Sequence, residues 1–215
     1  MDNIKRLTIT TQSVEYLMKK DKRFSKVVNM VGDITYKPHE DSYSFLVSQI
    51  IGQMLSAKVG EVIYGRLLSL CDNKITPQVI DSLSDEEIKG IGTANSKVKF
   101  IRELTSAVID GRLDFKLIET MNNDEALKYL TNIYGIGKWS AKMYLIFVLD
   151  RQDILPYEDV AFLQAYKWLY KTSDVSSKSI IDKCKKWKPY SSIAARYMYK
   201  ALDMGFTKND FHLYK

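Results

Sequence analysis

Two glycines that flank a single isoleucine, Gly135-Ile136-Gly137, stand immediately before an apolar segment with helical spacing. Glycine reaches positive φ without a steric cost and lets another backbone approach closely. The pattern therefore predicts a tight hairpin that opens into a helix, whose first backbone N–H groups have no partner inside the helix and can bind a phosphate. Because a G-x-G sequence also occurs in ordinary helix connections, the hairpin alone does not define a function.

An aspartate follows this hairpin at a short distance along the chain. Asp159, in the segment L-P-Y-E-D-V at 155–160, lies 22 residues after Gly137. Its position predicts either a plain N-cap for the next helix, for which aspartate is well suited, or a carboxylate that takes part in chemistry. The two roles are compatible. Together with the hairpin, Asp159 indicates a site that binds a polyanionic backbone and places a carboxylate next to it.

The rest of the chain predicts a mostly helical protein. Alternation typical of a strand is confined to 7–11, whereas apolar residues recur at helical spacing from Tyr43 onward. Thr76-Pro77 and the capping box that begins at Ser84 mark two helix starts, and Gly111 is placed as a C-cap. The predicted helices are one or two after residue 43 with a bend near 52, one from 76, and then 84–90, 95–110, 123–130, 140–149, 159–171, 177–186 and 191–204.

The composition argues against a membrane protein. The longest apolar run, 143–149, has seven residues, whereas a membrane span needs about 20. The first residues are polar and charged, with no apolar signal core behind them. We therefore expect a protein of the cytoplasm, or of the nucleus in a eukaryote, that does not associate with a membrane. We also expect a monomer.

Metal chemistry has little support in the sequence. Cys71 and Cys184 are far apart, and two cysteines cannot build a four-thiolate metal or iron–sulfur site. His39 and His212 are isolated from each other and from the cysteines. We expect both cysteines to be reduced and buried, because disulfides are rare in cytosolic proteins.

The charge of the chain favours a polyanionic partner. The formal net charge is +6 and the pI is about 9.1, which permits binding to nucleic acid without requiring it. Four lysines surround Trp187, and they form either a solvated charged face or an edge that contacts phosphates. These lysines are Lys183, Lys185, Lys186 and Lys188.

A second G-x-G sequence, Gly90-Ile91-Gly92, precedes the helix that carries Lys97 and Lys99. It is either a plain connection between helices or a second contact with a nucleic-acid backbone. The sequence leaves both interpretations open.

The segment Y-G-I-G-K-W-S-A at 134–141, followed by L-P-x-x-D, resembles the helix–hairpin–helix DNA glycosylases, and specifically their DNA-3-methyladenine glycosylase II branch. Three further segments are similar to that branch, and the resemblance runs from about Tyr43 to Gly205. They are S-Q-I-I-G-Q-M-L-S at 48–56, which resembles a Q-Q-L-S helix start; 90–97 with D-G-R-L at 110–113; and W-K-P-Y-S-S-I-A-A at 187–195, which resembles W-x-P-[WY]-R-S-x-A-A.

This resemblance implies a fold and a division of the chain. We expect an all-α or nearly all-α glycosylase fold with a short N-terminal strand element. Residues 1–42 would form a segment packed on the core, and 43–215 would form a helical core of two lobes with the active-site cleft between them.

The resemblance also implies an activity in base excision repair. A damaged nucleotide leaves the base stack, an anion stabilises the positive charge that grows on the sugar, and water attacks. Enzymes of this superfamily that also cut the strand carry a lysine where this chain has Trp139. We therefore expect a monofunctional enzyme that removes alkylated purines, such as 3-methyladenine, from damaged duplex DNA without a cofactor and leaves an abasic site.

The resemblance assigns roles to individual residues. Asp159 is the catalytic carboxylate, with Glu158 and Asp150 as rival acids. The DNA-backbone residues are Gly135, Ile136, Gly137, Lys138 and Ser140. The base-pocket residues are Trp139, Tyr157, Tyr199, Met143, Gln53 and Met54. The backbone carbonyls of the hairpin from Tyr134 to Gly137 can also hold a monovalent cation.

Two departures from the family pattern leave questions open. Met54 stands where the second glutamine of Q-Q-L-S is expected, and Ser191 stands where an arginine is expected. The sequence does not identify the lesion, nor which residue of the Gln53-Met54 region fills the gap left by the flipped base. The alternatives are a non-catalytic binder of damaged or branched DNA, a glycosylase for another lesion or one that also nicks the strand, and a helical protein-interaction module.

Overall fold

The computed structural model describes residues 3–214 and is mostly helical, which confirms the predicted fold class. Its two strands are β1 (Lys5–Leu7) and β2 (Ile34–Tyr36). Its helices are α1 (Gln12–Lys20), α2 (Lys22–Val31), α3 (Ser42–Gly52), α4 (Ala57–Leu70), α5 (Pro77–Ser82), α6 (Asp85–Gly90), α7 (Asn95–Ile109), α8 (Phe115–Thr120), α9 (Asn123–Thr131), α10 (Lys138–Phe147), α11 (Val160–Tyr170), α12 (Ser177–Cys184) and α13 (Ser191–Asp203). Short 3-10 turns cover Lys185–Trp187 and Phe206–Lys208.

Local signals in the sequence explain where several helices begin. Thr76 caps α5 through the Val79 N–H, and Ser84 and Glu87 form the predicted capping box of α6. A second capping box, Asn122 with Glu125, begins α9. These side chains bind backbone N–H groups that the first turn of a helix leaves without partners.

The predicted strand at 7–11 is wrong in position. The strand is β1, which pairs antiparallel with β2 so that Leu7 faces Ile34. The residues after Leu7 form a turn, because the Thr11 hydroxyl accepts a hydrogen bond from the Thr8 N–H over 2.8 Å. Threonine side chains compete with a strand ladder by such local bonds.

Three helices lie outside the predicted ranges: α1, α2 and α8. Of the one or two helices predicted after residue 43, the structure has two, α3 and α4, which are separated by a tight turn at 53–56.

The described chain divides into two compact units, one of residues 3–38 with 150–214 and one of residues 39–149. The predicted boundary at residue 42 stays a prediction. The first unit contains the small sheet, α1, α2 and α11–α13, and the second contains α3–α10. No helix within residues 3–214 is both long and apolar enough to cross a membrane.

The first unit is built around an aromatic core with one buried carboxylate. The Asp21 carboxylate caps α2, and it accepts hydrogen bonds from Tyr170 Oη at 2.5 Å and Trp187 Nε1 at 3.1 Å. It also pairs with Lys186 Nζ at 3.0 Å. Although burial raises the pKa of Asp21, these donors outweigh it and hold the pKa below its usual value.

This core accounts for part of the lysine cluster around Trp187. Trp187 is fully buried, Lys186 binds Asp21, and the amines of Lys183 and Lys186 lie 5.0 Å and 5.2 Å from the centre of the Tyr170 ring. Lys185 and Lys188 are exposed. At least one of the four lysines therefore serves the structure of this unit.

Candidate active site

The glycine hairpin lies in the second unit and joins α9 to α10. Ile136 is buried and anchors the hairpin, and its N–H donates to the Ile133 carbonyl over 3.0 Å. Gly137 is the N-cap of α10 and provides no side-chain cap. Because Gly137 and Lys138 are exposed, the first backbone N–H groups of α10 form an N-terminus that can bind an anion.

Only the first glycine of the hairpin requires positive φ. Gly135 has φ 97°, and a Cβ at this position would lie 2.4 Å from Phe100 Cβ. The Phe100 ring packs edge-on against Tyr134, with ring centres 5.0 Å apart. Gly137, by contrast, has φ −85° and no atom within 4 Å of a built Cβ. The hairpin is therefore fixed by Gly135.

The other residues assigned to DNA binding differ in their exposure. Lys138 is exposed, whereas Ile136 and Ser140 are 3% and 1% exposed. Their side chains face the interior of the second unit, so a DNA contact at these two positions would be made by the backbone.

The residues of the second unit that were predicted to line the base pocket are in different environments. Trp139 is half-buried and Met143 is buried on α10. The Gln53 amide donates to the Gly135 carbonyl over 2.9 Å and lies 3.3 Å from Ser140 Oγ. Met54, at φ 58°, is fully exposed. Gln53 is thus bound to the hairpin, and Met54 projects from a turn into solvent.

In the first unit, Asp159 is the N-cap of α11, which confirms that structural role. Its Oδ1 accepts a hydrogen bond from the Phe162 N–H over 2.7 Å. The Asp159 N–H donates to the Pro156 carbonyl over 3.0 Å, so the L-P-Y-E-D segment is itself a turn. The residue is 9% exposed. The carboxylate is therefore held in one orientation beside the positive end of a helix dipole.

Tyr199 on α13 interacts directly with Asp159. Burial raises the pKa of Tyr199 well above its usual value, and the charge of Asp159 and a hydrogen bond to it raise the pKa further. The phenol therefore stays protonated beside the carboxylate. The sequence assigned Tyr199 to the base pocket, and its contact with the candidate catalytic acid was not predicted.

The two rival acids have other partners in the first unit. Glu158 lies against Tyr157, where it contributes, after burial, to raising the pKa of that phenol. Asp150 accepts from Lys5 Nζ at 2.5 Å, Arg196 Nη2 at 3.0 Å and Tyr36 Oη at 3.1 Å. Three donors on one carboxylate are typical of a structural ion pair.

Arg196 is part of this cluster and was missed by the sequence analysis. Its side chain is 7% exposed, and its guanidinium carbon lies 3.8 Å from the centre of the Tyr36 ring. A guanidinium stacked on an aromatic face makes a cation–π contact. No motif in the sequence singles out Arg196, because its partners lie far away along the chain.

The second G-x-G is engaged in the structure of its own unit. Arg66 Nη1 donates to the Ile91 carbonyl over 3.1 Å, and Lys97 Nζ donates to the Ile51 carbonyl over 2.7 Å. These bonds favour the interpretation of the second G-x-G as a plain connection between helices, although Gly90 and Gly92 are exposed.

A multidentate metal site has no support in the part of the chain described. Residues 3–214 contain no group of three or more histidine, cysteine, aspartate or glutamate side chains that could hold a metal ion. Cys71 and Cys184 are buried, free thiols, as predicted. The monovalent cation at the hairpin backbone stays a prediction.

We predict that Gly135→Ala lowers the free energy of unfolding by about 2 kcal/mol or more, because it combines positive φ with a clash. Gly137→Ala, the matched control, should change it by no more than about 1 kcal/mol, the scale of a lost glycine N-cap. Urea unfolding of both variants measures the difference. Equal effects would contradict the account of the hairpin.

The chain is similar to known DNA repair proteins over most of its length. A family model for the HhH-GPD superfamily base excision DNA repair protein matches residues 47–189. The DNA-3-methyladenine glycosylase 1 of Schizosaccharomyces pombe is 28% identical over 203 residues, which cover 90% of this chain and 88% of that protein.

Solved structures agree with the family match. A DNA-3-methyladenine glycosidase from Bacillus halodurans is 31% identical and superposes with a TM-score of 0.84 over 97% of both chains. The 3-methyladenine DNA glycosylase of S. pombe in complex with abasic DNA is 26% identical, with a TM-score of 0.81 over 90% of this chain and 97% of that one. The resemblance inferred from sequence is confirmed, and the chain belongs to the HhH-GPD superfamily of base excision DNA repair proteins.

Proposed function

We propose that this protein is a monofunctional DNA glycosylase that hydrolyses the N-glycosidic bond of alkylated purines, such as 3-methyladenine, in duplex DNA and leaves an abasic site. The predicted class, a 3-methyladenine-type glycosylase of base excision repair, is confirmed by the family match and by relatives that span most of the chain. The observation that carries the proposed mechanism is the Asp159 carboxylate, fixed at a helix start and in contact with Tyr199.

The proposed reaction proceeds on a nucleotide that has left the base stack. The bond between C1′ and the base nitrogen breaks, its electron pair leaves with the base, and positive charge grows on the sugar. The Asp159 carboxylate stabilises that charge. Water then adds to C1′ and gives up a proton to the carboxylate or to solvent. The products are the free base and an abasic sugar, so no cofactor is consumed.

Trp139 supports hydrolysis by water rather than attack by an amine. A strand-cutting glycosylase needs an amine at this place to form a Schiff base with the sugar. The indole of Trp139 is not a nucleophile for that step. The neighbouring Lys138 is exposed, which suits a contact with a phosphate.

The hairpin is the proposed grip on the DNA backbone. The first N–H groups of α10 and the Lys138 amine can bind one phosphate, while the buried Ile136 anchors the loop. A contact of this kind weakens as the salt concentration rises. The proposed partner is duplex DNA that contains damaged bases.

Met54 is the proposed plug for the gap left by the flipped nucleotide. It is a fully exposed apolar side chain held at φ 58°, a conformation that only a minority of non-glycine residues adopt. An apolar side chain inserted between bases stabilises unstacked DNA. Trp139, Met143, Tyr157 and Tyr199 are proposed to bind the extrahelical base, since aromatic faces attract bases that alkylation has made cationic.

Asp159→Asn should lower the rate of base release by a factor of about 100 or more, because the amide cannot stabilise a cationic sugar. The fold should survive, since asparagine caps a helix as well as aspartate does. Free bases released from methylated duplex DNA are measured by chromatography, and strand breaks are measured with and without alkali.

The matched control for this experiment is Glu158→Gln in the same turn, which should retain activity. Tight, salt-dependent DNA binding without base release from any lesion would favour the non-catalytic binder. Breaks without alkali, with a covalent complex trapped by borohydride, would favour the strand-cutting enzyme.

Tyr199→Phe should slow base release about tenfold, the scale of one hydrogen bond to a charged group. Because Tyr199 lies against the Asp159 carboxylate, loss of the phenol hydroxyl leaves the orientation of that carboxylate less firmly fixed. Tyr197→Phe, which removes a buried hydroxyl on the same helix, is the control. A rate of base release unchanged by Tyr199→Phe, or an equal loss with Tyr197→Phe, would contradict the proposed contact.

A further inference from the structure

Met54 lies at the tip of a tight turn between α3 and α4. The Leu55 N–H donates to the Gly52 carbonyl over 3.1 Å, and Gln53 has φ −51° and ψ 129°. These are the angles of the first central residue in a type II turn, and positive φ is required at the second, where Met54 stands. Since methionine is not a turn residue, other contacts must hold this conformation.

The Gln53 side chain supplies the first of these contacts. Its Nε2 donates to the Gly135 carbonyl over 2.9 Å and lies 3.3 Å from Ser140 Oγ. A carbonyl oxygen only accepts, so the amide nitrogen is the atom that faces it. Gly135 belongs to the hairpin and Ser140 to the first turn of α10. One side chain therefore ties the Met54 turn to both sides of the junction between hairpin and helix.

Lys97 supplies a second contact, from another helix of the same unit. Its Nζ donates to the Ile51 carbonyl over 2.7 Å, near the end of α3. The amine is partly buried, and this burial lowers the pKa of Lys97. The lysine binds one of the last carbonyls of α3, which have no partner inside the helix. The end of α3 is thus fixed from two sides, while Met54 remains fully exposed.

We infer that Gln53 is a positioning residue that couples the hairpin to Met54. The hairpin that binds the DNA backbone and the Met54 side chain that fills the gap are thereby held in a fixed position relative to each other. The inference rests on the proposed function, because that function assigns DNA roles to both partners. It departs from the sequence-based assignment, in which Gln53 lines the base pocket.

The physical benefit of this coupling is preorganisation. A phosphate bound at the start of α10 holds the hairpin in place. Because the Gln53 amide contacts both Gly135 and Ser140, the Met54 turn is then held in place relative to the hairpin. Without this tie, the turn would have to be ordered when DNA binds, and ordering lowers affinity. The Met54 side chain would then fill the gap less often while the phosphate grip stayed intact.

A double-mutant cycle tests the coupling. The quantity measured is the preference of the protein for a duplex with a tetrahydrofuran abasic site over the same duplex undamaged. Met54→Ala should reduce this preference about tenfold in the wild-type background, but less than about twofold when Gln53→Met is present, because coupled residues are not additive. Methionine keeps the length of the glutamine side chain and removes its donor.

The matched control is Gln49→Met, one turn earlier in α3, where the amide lies 3.3 Å from Ser48 Oγ. In that background Met54→Ala should keep its full tenfold effect, about as in wild type. Gln53→Glu provides a second variant, because it keeps the shape of glutamine and turns a carboxylate toward the Gly135 carbonyl. It should abolish the coupling in the same way, and thermal unfolding verifies that each variant is folded.

Two results would overturn the inference. If wild type releases bases and prefers abasic duplex, but Met54→Ala has the same effect in both backgrounds, the coupling is absent and the proposed function stands. If wild type binds both duplexes equally and releases no base, the proposed function fails, and the role of Gln53 in DNA binding fails with it.

Discussion

One carboxylate serves both the fold and the proposed chemistry of this protein. Asp159 begins α11 by accepting the Phe162 N–H, and that bond fixes the direction of the side chain. The helix start also places partial positive charge beside the carboxylate. Tyr199 adds a neutral donor from α13.

In the second unit, contacts from other elements hold the glycine hairpin in place. Gly135 adopts positive φ, and the Phe100 side chain also leaves no space for a Cβ at this position. The Gly135 carbonyl then receives the Gln53 amide, so the hairpin and the Met54 turn share one hydrogen bond. The hairpin and the Met54 turn, which are both proposed to contact DNA, are therefore linked to each other. Lys97 supports the turn at the end of α3.

Much of this fold follows from local signals in the sequence. Capping residues, the glycine hairpin and the helical spacing of apolar residues act over a few positions, so they predicted most helices and the N-cap role of Asp159. The strand was misplaced because hydroxyl bonds between Thr8 and Thr11 end it early. Contacts between distant residues could not be predicted. Arg196 meets Asp150 46 positions away along the chain, and Gln53 meets Gly135 across 82 positions.

The role of Asp159 in stabilising positive charge on the sugar can be tested by the binding of charged abasic analogues, even when the lesion is not known. A duplex with a protonated pyrrolidine in place of the abasic sugar is compared with one that carries the neutral tetrahydrofuran. Wild type should bind the cationic analogue about 100-fold more tightly, as expected for a mimic of the transition state. Asp159→Asn should remove this difference. Equal affinity of wild type for the two duplexes would show that Asp159 does not stabilise a positively charged sugar.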